Sequence, residues 1–249
     1  MRGRPGRPGY PLPMPGRFPD PRTVAASVVA ATCLWAVPVP AHSDMPPASY
    51  RESLCSAAWF SVNNHIEAAK VAHQEEDRVD HLETAIKEAA AFQKDVAACA
   101  GVQHLMCESF RRLDKSAEAE RACRASVQLD RDYSAPWYDL GELMFAAGRY
   151  DEARAAFLEV QRLETSGPQA MIGPWRLAEV AAAQSDPERF EEHTREALRR
   201  GFTFRDVTCH PNWRTYHADP MLRDSVEKLI TVYGDPQTLV RLRDGTGCP

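Results

Sequence analysis

The stretch PWYDLGELMFAAGRYDEARAAFLEV, Pro136 to Val160, decides the fold. Its apolar and small residues fall at Trp137, Leu140, Gly141 and Met144, then at Ala153, Phe157 and Val160. Spacings of three and four put each set on one face of a helix. Gly148 stands between the sets, where a helix stops. Two amphipathic helices joined by so short a turn pack antiparallel, with small Gly141 and Ala153 at their contact and Trp137, Leu140 and Phe157 filling the gap.

The same periodicity runs outward in both directions. Helices are expected at about residues 51–74, 78–99, 102–113, 117–129, 135–147, 151–163, 174–184, 187–200 and 220–232, with Gly148, Gly201 and Gly234 in stop positions. The expected class is all-α.

Trp137, Leu140 and Gly141 followed by Ala153 and Phe157 resemble the tetratricopeptide-repeat pattern W-x2-L-G…A-x3-F, from Ser134 to about Ser166. Met144 departs from the usual Tyr, and the closing Pro is missing. One step back by the family's period of about 34 residues sets Met106 under Leu140, Cys107 under Gly141, Phe110 under Met144, Ala119 under Ala153 and Cys123 under Phe157. A degenerate copy is expected at about 100–133. A forward step of about 37 residues puts Leu177 at the Leu position, Ala178 at the Gly position and Ala197 at the place of Val160. The resemblance implies a short solenoid of tetratricopeptide-like hairpins closed by capping helices, as a repeat stack needs for solubility. The expected organisation is a signal peptide at 1–43, a linker at 44–50, an N-terminal helical hairpin at 51–99, repeats at 100–201, and a capping helix and tail at 202–249.

In that family the first helix of each pair lines a concave groove, and positions one and five residues beyond the Trp position point into it. The resemblance therefore gives His104, Tyr138 and Trp175 as one binding ladder and Glu108, Glu142 and Glu179 as another. Aromatic faces beside carboxylates suit a basic peptide, through ring-face attraction and charge-assisted hydrogen bonds. This differs from the Lys and Asn clamp by which some members hold the acidic C-termini of heat-shock chaperones. The competing reading is that Glu is common on solvated helices and that Trp175, after Pro174, is packing.

Residues 1–43 carry Arg2, Arg4, Arg7, Arg17 and Arg22, then the apolar run TVAASVVAATCLWAV and the small-residue site Ala41-His42-Ser43. This is the order of a secretory signal. The apolar run falls short of the roughly 20 residues that span a bilayer, although a retained anchor is the alternative. Met14 offers a second possible start, and Ala-Ala-Thr before Cys33 lacks the Leu of a lipidation site. Loss of five Arg and Asp20, a net +4, moves the charge from -5 to -9. So acidic a chain repels phosphate backbones, and nucleic acid is excluded as a partner. The expected compartment is periplasmic or extracellular, with no stable membrane span after cleavage.

Six of the seven cysteines follow the signal: Cys55, Cys99, Cys107, Cys123, Cys209 and Cys248. An even number in an exported chain favours disulfides, and six allow fifteen pairings. Residues equidistant from a turn face each other in an antiparallel hairpin. Cys55 and Cys99 centre on residue 77, in HQEEDRVD, and Cys107 and Cys123 centre on 115, in LDKSA. Cys209 and Cys248 remain to tie down the tail; the alternative is that some of the six are free buried thiols.

No nucleophile elbow, metalloprotease helix, Gly-rich phosphate loop, paired zinc cysteines or C-x-x-C occurs. No enzyme activity and no cofactor are expected. His73 and His81 flank Glu75, Glu76, Asp77 and Asp80, which reads as a solvated acidic turn in preference to a metal site. Cys209, His210 and His217 lack an orienting partner for nucleophilic chemistry and read as structural. The function expected is an exported interaction module holding a protein or peptide in the groove. Its rivals are a structural subunit of an envelope or secretion assembly and, last, an unrecognised enzyme.

Overall fold

The computed structural model describes residues 48–95, 99–204 and 211–244. The expected signal segment, Cys209, His210 and Cys248 lie outside the described residues. The described residues form α1 (Ala48–Val71), α2 (Glu75–Asp95), α3 (Ala100–Arg112), α4 (Ser116–Leu129), α5 (Ser134–Ala146), α6 (Tyr150–Leu163), α7 (Ile172–Ala183), α8 (Pro187–Arg199), α9 (Pro211–Ala218), α10 (Arg223–Tyr233) and α11 (Pro236–Asp244). Their regular structure is helical, and the expected all-α solenoid is found. Two helices were not anticipated: α9 and α11 are eight and nine residues long, too short for a periodic signal, and each opens on a proline.

Consecutive helices pair as α1/α2, α3/α4, α5/α6 and α7/α8, and each hairpin packs on the next. First helices also lie side by side, α1 on α3 and α3 on α5, while α10 packs against α8. The core is correspondingly a chain of local clusters. Val62, Ile66, Ala85 and Leu105 fill the first, Leu140, Met144, Phe157 and Val160 the second, and Phe190, Trp213, Val226 and Leu229 the third.

Turn geometry fixes the repeat register independently of the side chains. Each of the three repeat hairpins turns through one residue at positive φ: Asp114 at 56°, Gly148 at 71° and Ser185 at 52°. The next amide reaches back to close the helix in the same way each time, Lys115 to the Phe110 carbonyl, Arg149 to Met144 and Asp186 to Ala181. This is the left-handed helix stop that glycine favours, and Asp114 and Ser185 adopt it despite their Cβ. The three positions fall at the backward and forward shifts of the sequence register.

Side-chain contacts repeat as well. A Cβ on Gly141 would lie 2.4 Å from Cε1 of Phe157, so only glycine admits that ring. One repeat earlier the same two positions are Cys107 and Cys123, joined as a disulfide with Cα atoms 5.2 Å apart. A cross-link thus replaces the glycine–phenylalanine contact. The second expected disulfide, Cys55–Cys99, also forms, with Cα atoms 5.8 Å apart. Its geometry differs from the expectation, because the α1/α2 turn falls at 72–74 and Cys99 caps the start of α3. It therefore fastens α1 to the first repeat across the end of α2. By loop entropy the two add about 3 and 4 kcal/mol.

Candidate functional site

Helices α3 and α5, with the C-terminal end of α6 and the start of α7, enclose a cavity of about 840 Å³. His104, Glu108 and Tyr138 of the two expected ladders line it, together with Arg111, Arg112, Asp139 and Glu164. Glu142, Trp175 and Glu179 stand outside that lining.

His104 is tied into the wall. Its Nε2 lies 2.9 Å from Asp139 Oδ2, and its Nδ1 lies 2.8 Å from the Tyr133 hydroxyl. The ionised Asp139 carboxylate can only accept, so Nε2–H donates to it, while Nδ1 and the Tyr133 hydroxyl share the second hydrogen bond. Arg111 donates to the other Asp139 oxygen, which joins α3 to α5 through a carboxylate only 7% exposed. Burial, with the Asp139 charge adding to it, pushes the Tyr133 hydroxyl above its usual pKa. Glu108 accepts from Arg112 Nε and Nη2 at 3.1 and 2.8 Å, and Lys70 Nζ stands 3.7 Å away.

Glu142 and Glu179 meet over one guanidinium. Arg176 pairs with Glu142 at 2.5 Å and with Glu179 on its own helix. Its Cζ lies 5.0 and 5.3 Å from the ring centres of Phe145 and Phe157, a cation held between aromatic faces. Glu179 also accepts from Asn212 Nδ2 at 3.0 Å, which recruits α9. Burial raises the Glu142 pKa, with Arg176 opposing. For Arg176 burial works to lower the pKa, but the two carboxylates outweigh it and hold it above the ordinary value. Burial and the Glu142 charge raise Tyr138.

Trp175 stacks on Phe202, with centroids 4.5 Å apart, and on Trp213 at 5.7 Å, as a half-buried member of the C-terminal cluster. His73, His81 and the acidic residues between them stay near the α1/α2 turn, where Arg78 binds Glu75. His217 accepts a structural place, 2.9 Å from Glu227. Among the described residues the one cluster of metal-ligating type is Cys107, Cys123 and Asp139. Both sulfurs belong to the disulfide, which leaves Asp139 alone to offer a cation anything.

Sequence reasoning did not single out Arg111, Arg112, Asp139, Glu164 or Arg176. Arg112 carried a signal, at i+4 from Glu108. Asp139 and Arg176, each beside a ladder residue, carried none, and Glu164 lies past the end of a second helix, where a first-helix register never reaches.

The geometry defines the class, an all-α stack of helical hairpins with a concave cavity across its first helices. The sequence model of the tetratricopeptide repeat matches residues 113–170, which spans the turn of one hairpin to the start of the third. The chain therefore carries tetratricopeptide-repeat sequence over residues 113–170. Solved structures of similar fold include MamA, at 14% identity, TM-score 0.45, covering 64% of this chain and 95% of that one. The nearly identical TPR-like repeats of a putative kinesin light chain from Podosopora anserina reach 16% identity and TM-score 0.47, covering 82% of this chain and 97% of that one. No curated protein matches the sequence. Among the described residues no helix is long and apolar enough to cross a membrane.

Proposed function

We propose that this chain is an exported interaction module without catalytic activity that holds a peptide or domain of a partner protein against the concave face of its repeats. Tetratricopeptide repeats bind proteins or peptides as a rule, and the observation that carries the reading is the cavity between α3, α5 and α7, with His104, Glu108 and Tyr138 on its wall. The groove is braced before any ligand arrives, since Arg111 and Asp139 tie α3 to α5 and the Cys107–Cys123 disulfide ties α3 to α4. Preorganisation of this kind lowers the cost of binding. Two disulfides within one chain support an oxidising compartment, periplasmic or extracellular, in keeping with the basic and apolar order of residues 1–43.

Photo-crosslinking in the native host tests the reading. A probe at Tyr138 is expected to capture a partner protein, and a control probe at Arg121, whose side chain is 71% exposed on α4, is expected to capture none. Capture from Arg121 alone would instead favour a structural subunit assembled through the outer face.

A further inference from the structure

Five charged carboxylate and guanidinium side chains line the cavity: Arg111 and Arg112 against Glu108, Asp139 and Glu164. Glu108 is matched by Arg112 and Asp139 by Arg111. Glu164 is left over. Its carboxylate accepts one hydrogen bond, from the neutral Ser134 hydroxyl, and among the described residues it has no cationic partner. Arg200 comes near only through the backbone, its Nη1 donating to the Gln161 and Glu164 carbonyls at 3.1 Å while its Nε pairs with Glu196. Glu164 also caps the C-terminal end of α6, where the helix dipole adds partial negative charge. Apolar surface adjoins it, from Val160, Ile172 and the Tyr138 ring.

We infer that the groove takes an extended peptide segment carrying a Lys or Arg and an apolar side chain on the same side, two residues apart, the cation pairing with Glu164 and the apolar side chain lying against Val160, Ile172 and Tyr138. This rests on the groove reading and names its ligand class. The selectivity comes from one residue, because Glu108, Glu142 and Glu179 are already neutralised within the protein and a ligand would have to displace their arginines.

The test uses the full disulfide-bonded chain and peptide libraries randomised except for two central positions separated by one residue, which puts both side chains on the same side of an extended segment; the pair is fixed as Leu-Lys, Leu-norleucine or Leu-Glu, in either order. Wild type is expected to bind the Leu-Lys library most tightly. Glu164→Gln is nearly isosteric and is expected to weaken that binding about tenfold, to the level of norleucine. Glu164→Lys is expected to turn the preference to Leu-Glu. Ala135→Trp, which sets an indole into the cavity from its wall without changing charge, is expected to block binding of all three. Equal binding of Leu-Lys and Leu-norleucine, blocked by Ala135→Trp, would overturn the cation proposal and leave the groove standing. A wild-type preference for Leu-Glu would also overturn it, pointing to Arg111 and Arg112. Binding indifferent to Ala135→Trp, or absent for every library, would overturn the groove reading and this inference together.

Discussion

Arg176 carries two carboxylates, and one of them, Glu179, is only 2% exposed. Its removal leaves both charges without their cation, Glu179 fully buried and Glu142 largely so, and an unpaired buried ion is expensive. Arg176→Met is therefore expected to cost about 3–5 kcal/mol at neutral pH, read from urea unfolding. The cost should shrink on acidification. Glu142 is already raised by burial, so its protonated form is favoured in the folded state; its stabilising contribution is full below the unfolded pKa and is lost as pH rises through the folded one. An Arg176→Met penalty that is the same at pH 5 and pH 7 would show that lost aromatic packing, and not stranded charge, is the cause. Spacing placed Glu142 and Glu179 by register, but nothing local to either showed that they share an arginine.

At the scale of elements, the C-terminal cap depends on an acid held in the opposite direction. Glu227 of α10 accepts from Arg243 of α11 and from His217 of α9, and these bonds bring its pKa down to about 2. A depressed carboxyl stabilises above its unfolded value of 4.5, and that contribution fades as pH falls toward 2. Arg243 is half exposed, so solvent screens the pair and the contribution is under about 1 kcal/mol. An NMR titration is expected to place the Glu227 midpoint near 2, and a midpoint at 4.5 would show that the three helices are not joined there. The sequence resolved α10 because its apolar residues repeat over three turns. It did not resolve α9 or α11, whose burial of Trp213 and Leu242 comes from docking on neighbours.

Across the whole molecule, the three core clusters follow one another along the chain, each built from adjacent hairpins. Stability in such a stack is a sum of local and nearest-neighbour contributions. Ile66→Ala, at a fully buried site in the first cluster, is expected to cost about 2–5 kcal/mol there. Hydrogen exchange should quicken in α1 and α2 while α7, α8 and α10 keep their protection. Uniform loss of protection would mean that the stack unfolds as one unit. The sequence by itself determined the nine longer helices, the repeat spacing and two of the cysteine pairs, because periodicity and turn position are written in neighbouring residues. Tertiary structure alone decided that Trp175 stacks into the C-terminal core and that Arg111 meets Asp139 across 28 residues of chain. It alone left Glu164 without a cation among the described residues. Which charge neutralises which depends on distances between helices and on competition among long side chains, and neither is encoded in local spacing.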